Sequence, residues 1–273
     1  MIPNQFDYLR AQSVDEALSL LASHGGEAKL LAGGMSLLPL MKLRLASPAA
    51  VIDVRGLPEL TGLTEADGVL RIGAGVRHRD LERSELVRRA APLLATAAAT
   101  IGDAQVRARG TIGGSLAHAD PAADLPAVML ALEATLILRG PGGTREVAAG
   151  DFFLDLWETA LAPGELVTEV RVPSTEGRPH GFIKFRQRSQ DWAIVGAAVV
   201  GGGEPRVALV NMGMTPLRAG AVEAALAAGA PPAEAAAHAD EGTSPVSDLH
   251  ADAGYRRHLS RVLVRRALEA AAA

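Results

Sequence analysis

The chain has 273 residues, a net charge of −4 and no cysteine, with 48 % hydrophobic but only 3 % aromatic residues. The length suits two compact domains and a small third, with cores built from Ala, Leu, Val and Ile. The charge balance offers no basic face to a nucleic acid. The lack of cysteine excludes disulfides, thiolate nucleophiles and cysteine-bound iron–sulfur clusters on this chain. Any one-electron chemistry therefore puts its clusters on another polypeptide. Met1–Phe6 shows neither a basic n-region nor an apolar h-region. The longest apolar stretches, such as Pro126–Leu138, are too short for a bilayer and are interrupted by Glu133. A cytoplasmic protein with no transmembrane segment is expected.

In chain order, Ser13-Val14-Asp15-Glu16 is a capping-box pattern opening a helix that Gly25-Gly26 ends. Lys29–Ala32 reads as a short buried strand, Leu37–Leu43 as a helix with Pro39 in its first turn, and Ala50–Val54 as a further strand. This first α/β unit covers residues 1–55. In the second unit, residues 56–175, Ala66-Asp67-Gly68 joins two apolar runs as a hairpin. Leu86–Thr100 is helical and broken at Pro92, a helix runs from Pro121 to Leu132, and Thr135–Arg139 and Glu165–Val172 are strands. Ser174–His180 reads as a polar linker. Beyond it, residues 176–273 hold three antiparallel strands, Phe182–Phe185, Ala193–Val200 and Arg206–Val210. Helices over Ala219–Ala228, Pro232–Ala239 and Asp252–Ala270 follow.

Two stretches carry chemistry. Leu31–Leu38 reads L-A-G-G-M-S-L-L and Thr111–Asp124 reads T-I-G-G-S-L-A-H-A-D-P-A-A-D. Each looks like a strand entering a Gly pair followed by Ser. Glycine lets backbone approach a ligand closely, and successive N–H groups in such a turn form an anion-binding concavity. One Gly pair is equally a plain tight turn. Two of them can clasp a pyrophosphate from opposite sides. Neither is G-x-G-x-x-G or G-x-x-x-x-G-K-[ST], so Rossmann and P-loop fingerprints are absent.

Ala32–Pro39 (A-G-G-M-S-L-L-P), Thr111–Pro126 and Thr215–Ala219 (T-P-L-R-A) together resemble the FAD-binding medium subunit of the molybdenum hydroxylases, of the carbon monoxide dehydrogenase and xanthine dehydrogenase type. The resemblance spans essentially the whole chain. It implies an α+β fold: a two-subdomain FAD-binding part of the PCMH or vanillyl-alcohol-oxidase type, then a small C-terminal α+β domain with an antiparallel sheet and helices. It implies FAD as cofactor, and partners that are a large molybdopterin-binding subunit and a small 2Fe–2S subunit in a dimer of heterotrimers. Electrons would enter from the partner's clusters and leave to an external acceptor. A stand-alone flavoenzyme using His118 as base, and a non-catalytic relative, are the alternatives.

The same resemblance points to site residues. The backbone of Ala32, Gly33, Gly34, Met35 and Ser36, and of Thr111, Ile112, Gly113, Gly114 and Ser115, would hold the pyrophosphate. Leu37 and Ile101 would pack near the cofactor, Asp124 would accept hydrogen bonds from it, and Lys184 and Trp192 would approach it. Met35 stands where relatives usually carry His or Gln, and Ser115 where they carry Asn. Met has no side-chain donor, and Ser is shorter than Asn. From the residues alone, Asp124 is equally a helix cap or ion-pair partner, Asp120 an N-cap, Trp192 a core residue and Lys184 a solvated edge residue. Arg107 and Arg109 are either phosphate neutralisers or surface charges. No catalytic residue and no metal site is assigned.

Overall fold

Three larger β-sheets and one two-stranded hairpin are formed along the chain in a computed structural model that describes residues 2–272. The first is parallel, in the order β1 (Asp7–Arg10), β3 (Ala50–Asp53), β2 (Ala28–Leu31). Helix α1 (Val14–Ser23) lies between β1 and β2, and α2 (Leu37–Lys42) follows β2. The Ser13 hydroxyl caps α1 by accepting the Glu16 N–H at 3.1 Å. The Glu16 carboxylate takes the Gln12 N–H, one residue beyond the usual capping-box partner. Central β3 is buried at all four residues. β1 carries polar residues at both ends and no turn signal, which hides it in the sequence.

The second sheet is antiparallel. Its strands are β4 (Leu63–Ala66), β5 (Val69–Gly73), β6 (Thr135–Gly140) and β7 (Gly143–Ala148); after a small hairpin of β8 (Phe153–Asp155) and β9 (Glu158–Thr159), the long β10 (Leu166–Pro173) inserts between β5 and β6. Asp67 (φ 54°) and Gly68 (φ 72°) make the β4–β5 turn, the two left-handed positions that a type I′ hairpin demands. Between β5 and β6 run α3 (His78–Arg83), α4 (Glu85–Ala90), α5 (Pro92–Ala98), α6 (Ala104–Arg107), α7 (Ile112–His118) and α8 (Asp124–Ala131). The expected break at Pro92 separates α4 from α5. A short α9 (Ala149–Phe152) precedes β8.

Three expectations fail here. Thr111-Ile112 is not a strand end: Thr111 is the N-cap of α7, its hydroxyl accepting the Gly114 N–H at 3.2 Å, so the second Gly pair lies in the first turn of a helix. The next helix starts at Asp124 rather than Pro121. Ala119 turns left-handed (φ 52°) and Asp120 closes a turn by accepting the Ala122 N–H, so Asp120 is not a helix cap. The segment from Ser174 is also no free linker. Its Ser174 and Thr175 N–H groups bind the carbonyls of Gly68 and Ala90, and Thr175 is buried.

The third sheet runs β11 (His180–Phe185), β12 (Val195–Val200), β13 (Arg206–Val210), β14 (Leu217–Arg218), all antiparallel. Helices α10 (Gly220–Ala227), α11 (Pro232–Ala235) and α12 (Ala253–Ala272) follow. One face of β12–β13, with Ala198, Val200, Ala208 and Val210, shares a core with α5, α8 and the second sheet. The other face, with Val195, Val199, Val207 and Leu209, packs on α10 and α12. Burial on both faces explains the unbroken apolar run of β12. Helix α8, D-L-P-A-V-M-L-A, has every residue buried, packed against β12, β13 and β14 of the third sheet and against α5, α7 and α9. Burying Leu125, Val128, Met129 and Leu130 alone is worth roughly 6–12 kcal/mol of transfer free energy.

Candidate cofactor-binding site

The first Gly loop leaves β2 and enters α2. Within the described residues, the N–H groups of Gly33, Gly34, Met35 and Ser36 have neither a backbone nor a side-chain acceptor. Gly34 is left-handed (φ 77°), and alternating handedness points successive N–H groups to one side. The result is a row of unengaged backbone donors on one side of the loop.

The second loop stands directly against the first. A Cβ added to Gly33 would lie 2.4 Å from the Arg109 carbonyl oxygen and 2.7 Å from the Gly110 Cα, so only glycine permits the approach. A Cβ on Gly114 would come within 3.9 Å of the Ala32 Cβ. The two motifs therefore converge, as the clasp requires. Their donors are not equivalent. The Ile112 and Gly113 N–H groups bind the carbonyls of Val76 and Ala74, and those of Gly114 and Ser115 bind the hydroxyl and carbonyl of Thr111. Gly113 serves packing: a Cβ there would meet Ala74 at 2.4 Å. The free backbone donors belong to the first loop, and the second contributes the exposed backbone of Gly114 and the Ser115 hydroxyl.

His78 buttresses the junction. Its N–H donates to the Gly110 carbonyl, and its ring fills the space where a Gly110 side chain would stand. Burial, with Arg107 adding a smaller push, lowers its pKa to about 4, so the ring is neutral at physiological pH. Arg107 itself pairs with Glu82 at 2.9 Å and donates to the Ile101 carbonyl. It is not left to neutralise a phosphate.

Asp124 opens α8, and its Oδ2 meets Lys184 Nζ of β11 at 2.8 Å, both side chains almost fully buried. Lys184 thus points inward and is no solvated edge residue, while Phe185 on the opposite face stacks edge-on with Tyr255. Burial holds the Asp124 carboxyl above the ordinary carboxylate range despite the pull of Lys184 and, more weakly, Arg186. Asp124 Oδ1 is buried with no hydrogen-bond partner. An orphaned acceptor of this kind is costly unless something fills it. Arg186 donates to the Thr100 carbonyl at 2.9 Å, bringing the stretch that holds half-buried Ile101 toward β11. Leu37 packs with Met41 under the first loop. Trp192 is 55 % exposed on the loop between β11 and β12, so it is no core residue. Sequence reasoning missed His78 and the free-donor asymmetry of the loops. A His at a helix start carries no signal of its own.

A sequence model described as the FAD binding domain in molybdopterin dehydrogenase matches residues 4–175, and one described as the CO dehydrogenase flavoprotein C-terminal domain matches residues 180–271. The chain belongs to this family of FAD-binding subunits. It is 43 % identical to the carbon monoxide dehydrogenase medium chain of Hydrogenophaga pseudoflava, covering 99 % of this chain and 98 % of that one. It is 38 % identical to the 6-hydroxypseudooxynicotine dehydrogenase complex subunit alpha of Paenarthrobacter nicotinovorans, covering 98 % and 95 %. Among solved structures, a carbon monoxide dehydrogenase from Hydrogenophaga pseudoflava superposes with a TM-score of 0.96 at 45 % identity, covering 99 % of this chain and 98 % of that one. Quinoline 2-oxidoreductase from Pseudomonas putida 86 does so with 0.93 at 32 % identity, covering 100 % and 99 %. The α+β FAD-binding architecture and FAD as cofactor follow from this membership. The residues present fit the group: a row of unengaged donors suits a diphosphate, and an orphaned buried carboxylate oxygen suits a hydroxyl or N–H of the cofactor. No helix among the described residues is long and apolar enough to cross a membrane.

Proposed function

We propose that this chain is the electron-exit subunit of a cytoplasmic three-subunit molybdenum hydroxylase, working beside a large molybdopterin-binding subunit and a small 2Fe–2S subunit in a dimer of heterotrimers. The convergence of the two Gly loops on one row of free N–H groups carries the reading. FAD, when bound, supplies the chemistry that joins one-electron donors to a two-electron acceptor. This chain's residues do the rest. The N–H groups of Gly33–Ser36, with Ala32 shaping the loop and Gly114 and Ser115 closing it, hold the diphosphate. Thr111 caps α7 and fixes that closing turn, and Ile112 and Gly113 anchor it to the second sheet. Leu37 and Ile101 supply apolar walls. Asp124 accepts a hydrogen bond through Oδ1, and Lys184 holds that carboxylate in place. Trp192 covers the opening from solvent. Electrons come from a partner because this chain has no cysteine to ligate a cluster. We place the two cofactor-binding subdomains at residues 1–55 and 56–175 and the C-terminal domain at 176–273.

Purified chain should show a flavin absorption spectrum, and FAD should be released on unfolding in near-stoichiometric amount. A colourless chain that fails to bind added FAD would overturn the reading.

A further inference from the structure

Residues 186–194 join β11 to β12 and carry the half-exposed Trp192. Trp192 itself makes no hydrogen bond among the described residues, so its place is set by the chain on either side. Before it, the Asp191 N–H donates to the Arg188 carbonyl at 3.1 Å and the Asp191 carboxylate takes the Arg188 N–H at 3.0 Å, closing a turn. After it, β12 begins at Val195, opposite Phe185, so the carbonyls of Ala193 and Ile194 lie outside the β-ladder and no backbone N–H reaches them. Ala193 is buried, and a buried carbonyl needs a donor. Two side chains supply it. Asn211 Nδ2 donates to the Ala193 carbonyl at 2.8 Å and to the Ile194 carbonyl at 3.2 Å. Arg256 of α12, fully buried, donates through Nη1 to the Ile194 carbonyl and through Nη2 to Asp248 Oδ2 at 2.6 Å.

Asn211 suits the post by its backbone and its side chain. It stands one residue past β13 with a left-handed backbone (φ 61°), which asparagine tolerates better than most residues with a Cβ. Its amide carries two N–H bonds, one for each carbonyl. Its own N–H donates to the Pro121 carbonyl at 2.9 Å, in the turn that leads into α8 and Asp124. The residue is thus fixed against the approach to Asp124 and grips the chain one Cα step, about 3.8 Å, beyond Trp192.

We propose that Asn211 is a positioning residue for the cofactor site: its amide, seconded by Arg256, fixes Trp192 against the bound flavin. This rests on the electron-exit reading above, in which Trp192 covers the opening. Arg256 already satisfies Ile194, so closing the start of β12 does not require Asn211. The shorter Asn211 bond goes to Ala193, the residue that adjoins Trp192. A large ring on an exposed loop keeps one position only if the main chain beside it is held, and these donors hold it.

The test uses the full chain with FAD added. Trp157 and Trp192 are the chain's two tryptophans, so in a Trp157→Phe background the indole emission belongs to Trp192. Aromatic rings in contact lie about 4.5–7 Å apart, near enough for a flavin to quench an indole. Saturating FAD should quench Trp192. Asn211→Gly keeps the left-handed backbone and removes only the amide, and in it that quenching should fall at least about twofold. Unchanged quenching would overturn the proposal. Flavin release supplies a second arm. Asn211→Gly and Trp192→Ala should each speed release at least about threefold, and the double variant should be no faster than the faster single one. Additive effects, or no effect of either change, would overturn the proposal, because Asn211 would then not act through Trp192. Val222→Ala, at a buried position of α10, is the stability control. It should lower the unfolding midpoint and leave quenching and release as they are; a matching loss of quenching there would reduce Asn211 to a structural role. If the glycine variant does not fold, Asn211→Asp tolerates the same backbone, donates nothing when ionised and serves the same readouts. FAD that binds without quenching Trp192 would end this proposal and leave the electron-exit reading standing. A chain that binds no FAD would bring down both.

Discussion

Replacing Gly33 by alanine tests the convergence of the loops. The new methyl carbon would stand 2.4 Å from the Arg109 carbonyl oxygen and 2.7 Å from the Gly110 Cα. Ordinary contacts to such atoms lie at about 3.3–4.0 Å, so the loops must part by roughly 1 Å. Both obstructing atoms are main chain, and His78 behind Gly110 blocks retreat. Overpacking of this kind costs about 1–3 kcal/mol. If the strain falls on the cofactor-loaded state, FAD affinity drops roughly 5- to 150-fold. Fluorescence titration of apo chain with FAD measures this, and urea unfolding of the apo chain separates lost binding from lost fold. Gly142→Ala, with open space around its position, is the matched control and should change neither. Wild-type affinity in Gly33→Ala, with the fold intact, would refute the clasp.

Lys184→Met strands Asp124 in the interior without a counter-charge. It should lower stability by about 3–5 kcal/mol in urea unfolding, and adding Asp124→Leu should recover most of that loss; a change below about 1 kcal/mol would contradict a buried pair. Asp53 lies at the end of β3, where burial would raise its pKa but hydrogen bonds from Arg55 and Tyr8 bring it down to about 2. Its folded value lies below the unfolded one, so its contribution of about 2 kcal/mol is present above about pH 4 and fades as pH falls toward 2. Asp53→Asn should therefore lose stability at neutral pH and show a shallower acid transition. His78, held down to about 4, binds fewer protons folded than unfolded between pH 4 and 6.5. Stability should fall by on the order of 3 kcal/mol as pH drops through that window, and His78→Phe should flatten the fall in chemical unfolding followed from pH 7 to 4.

Much of the architecture was legible because the signals are local. Asp67-Gly68 declared its hairpin, Ser13 its helix start and Pro92 its break, and the apolar run Ala193–Val200 its strand. The second loop was misread because local preference pointed the wrong way. Thr and Ile favour strands, and two glycines in a first turn cost a helix about 1 kcal/mol each. The close approach of Gly113 to Ala74 and the Thr111 cap override that preference. Pro121 suggested a helix start by its fixed φ, but left-handed Ala119 and the Asp120 turn delay the helix to Asp124. The pairing of Asp124 with Lys184 joins residues far apart in sequence, and no spacing rule reaches that far. Likewise, which N–H groups remain free in a glycine loop depends on neighbouring backbone, so composition could suggest an anion site but not say which of the two loops supplies it.

Helix α8 has no face left for water, because the third sheet covers one side and α5, α7 and α9 cover the rest. A polypeptide truncated after residue 175 would therefore lose half of that cover and lay bare a sleeve of Leu, Val and Met, inviting aggregation. A stand-alone flavin module cannot be trimmed from this chain, and residues 56 onward should melt as one cooperative block.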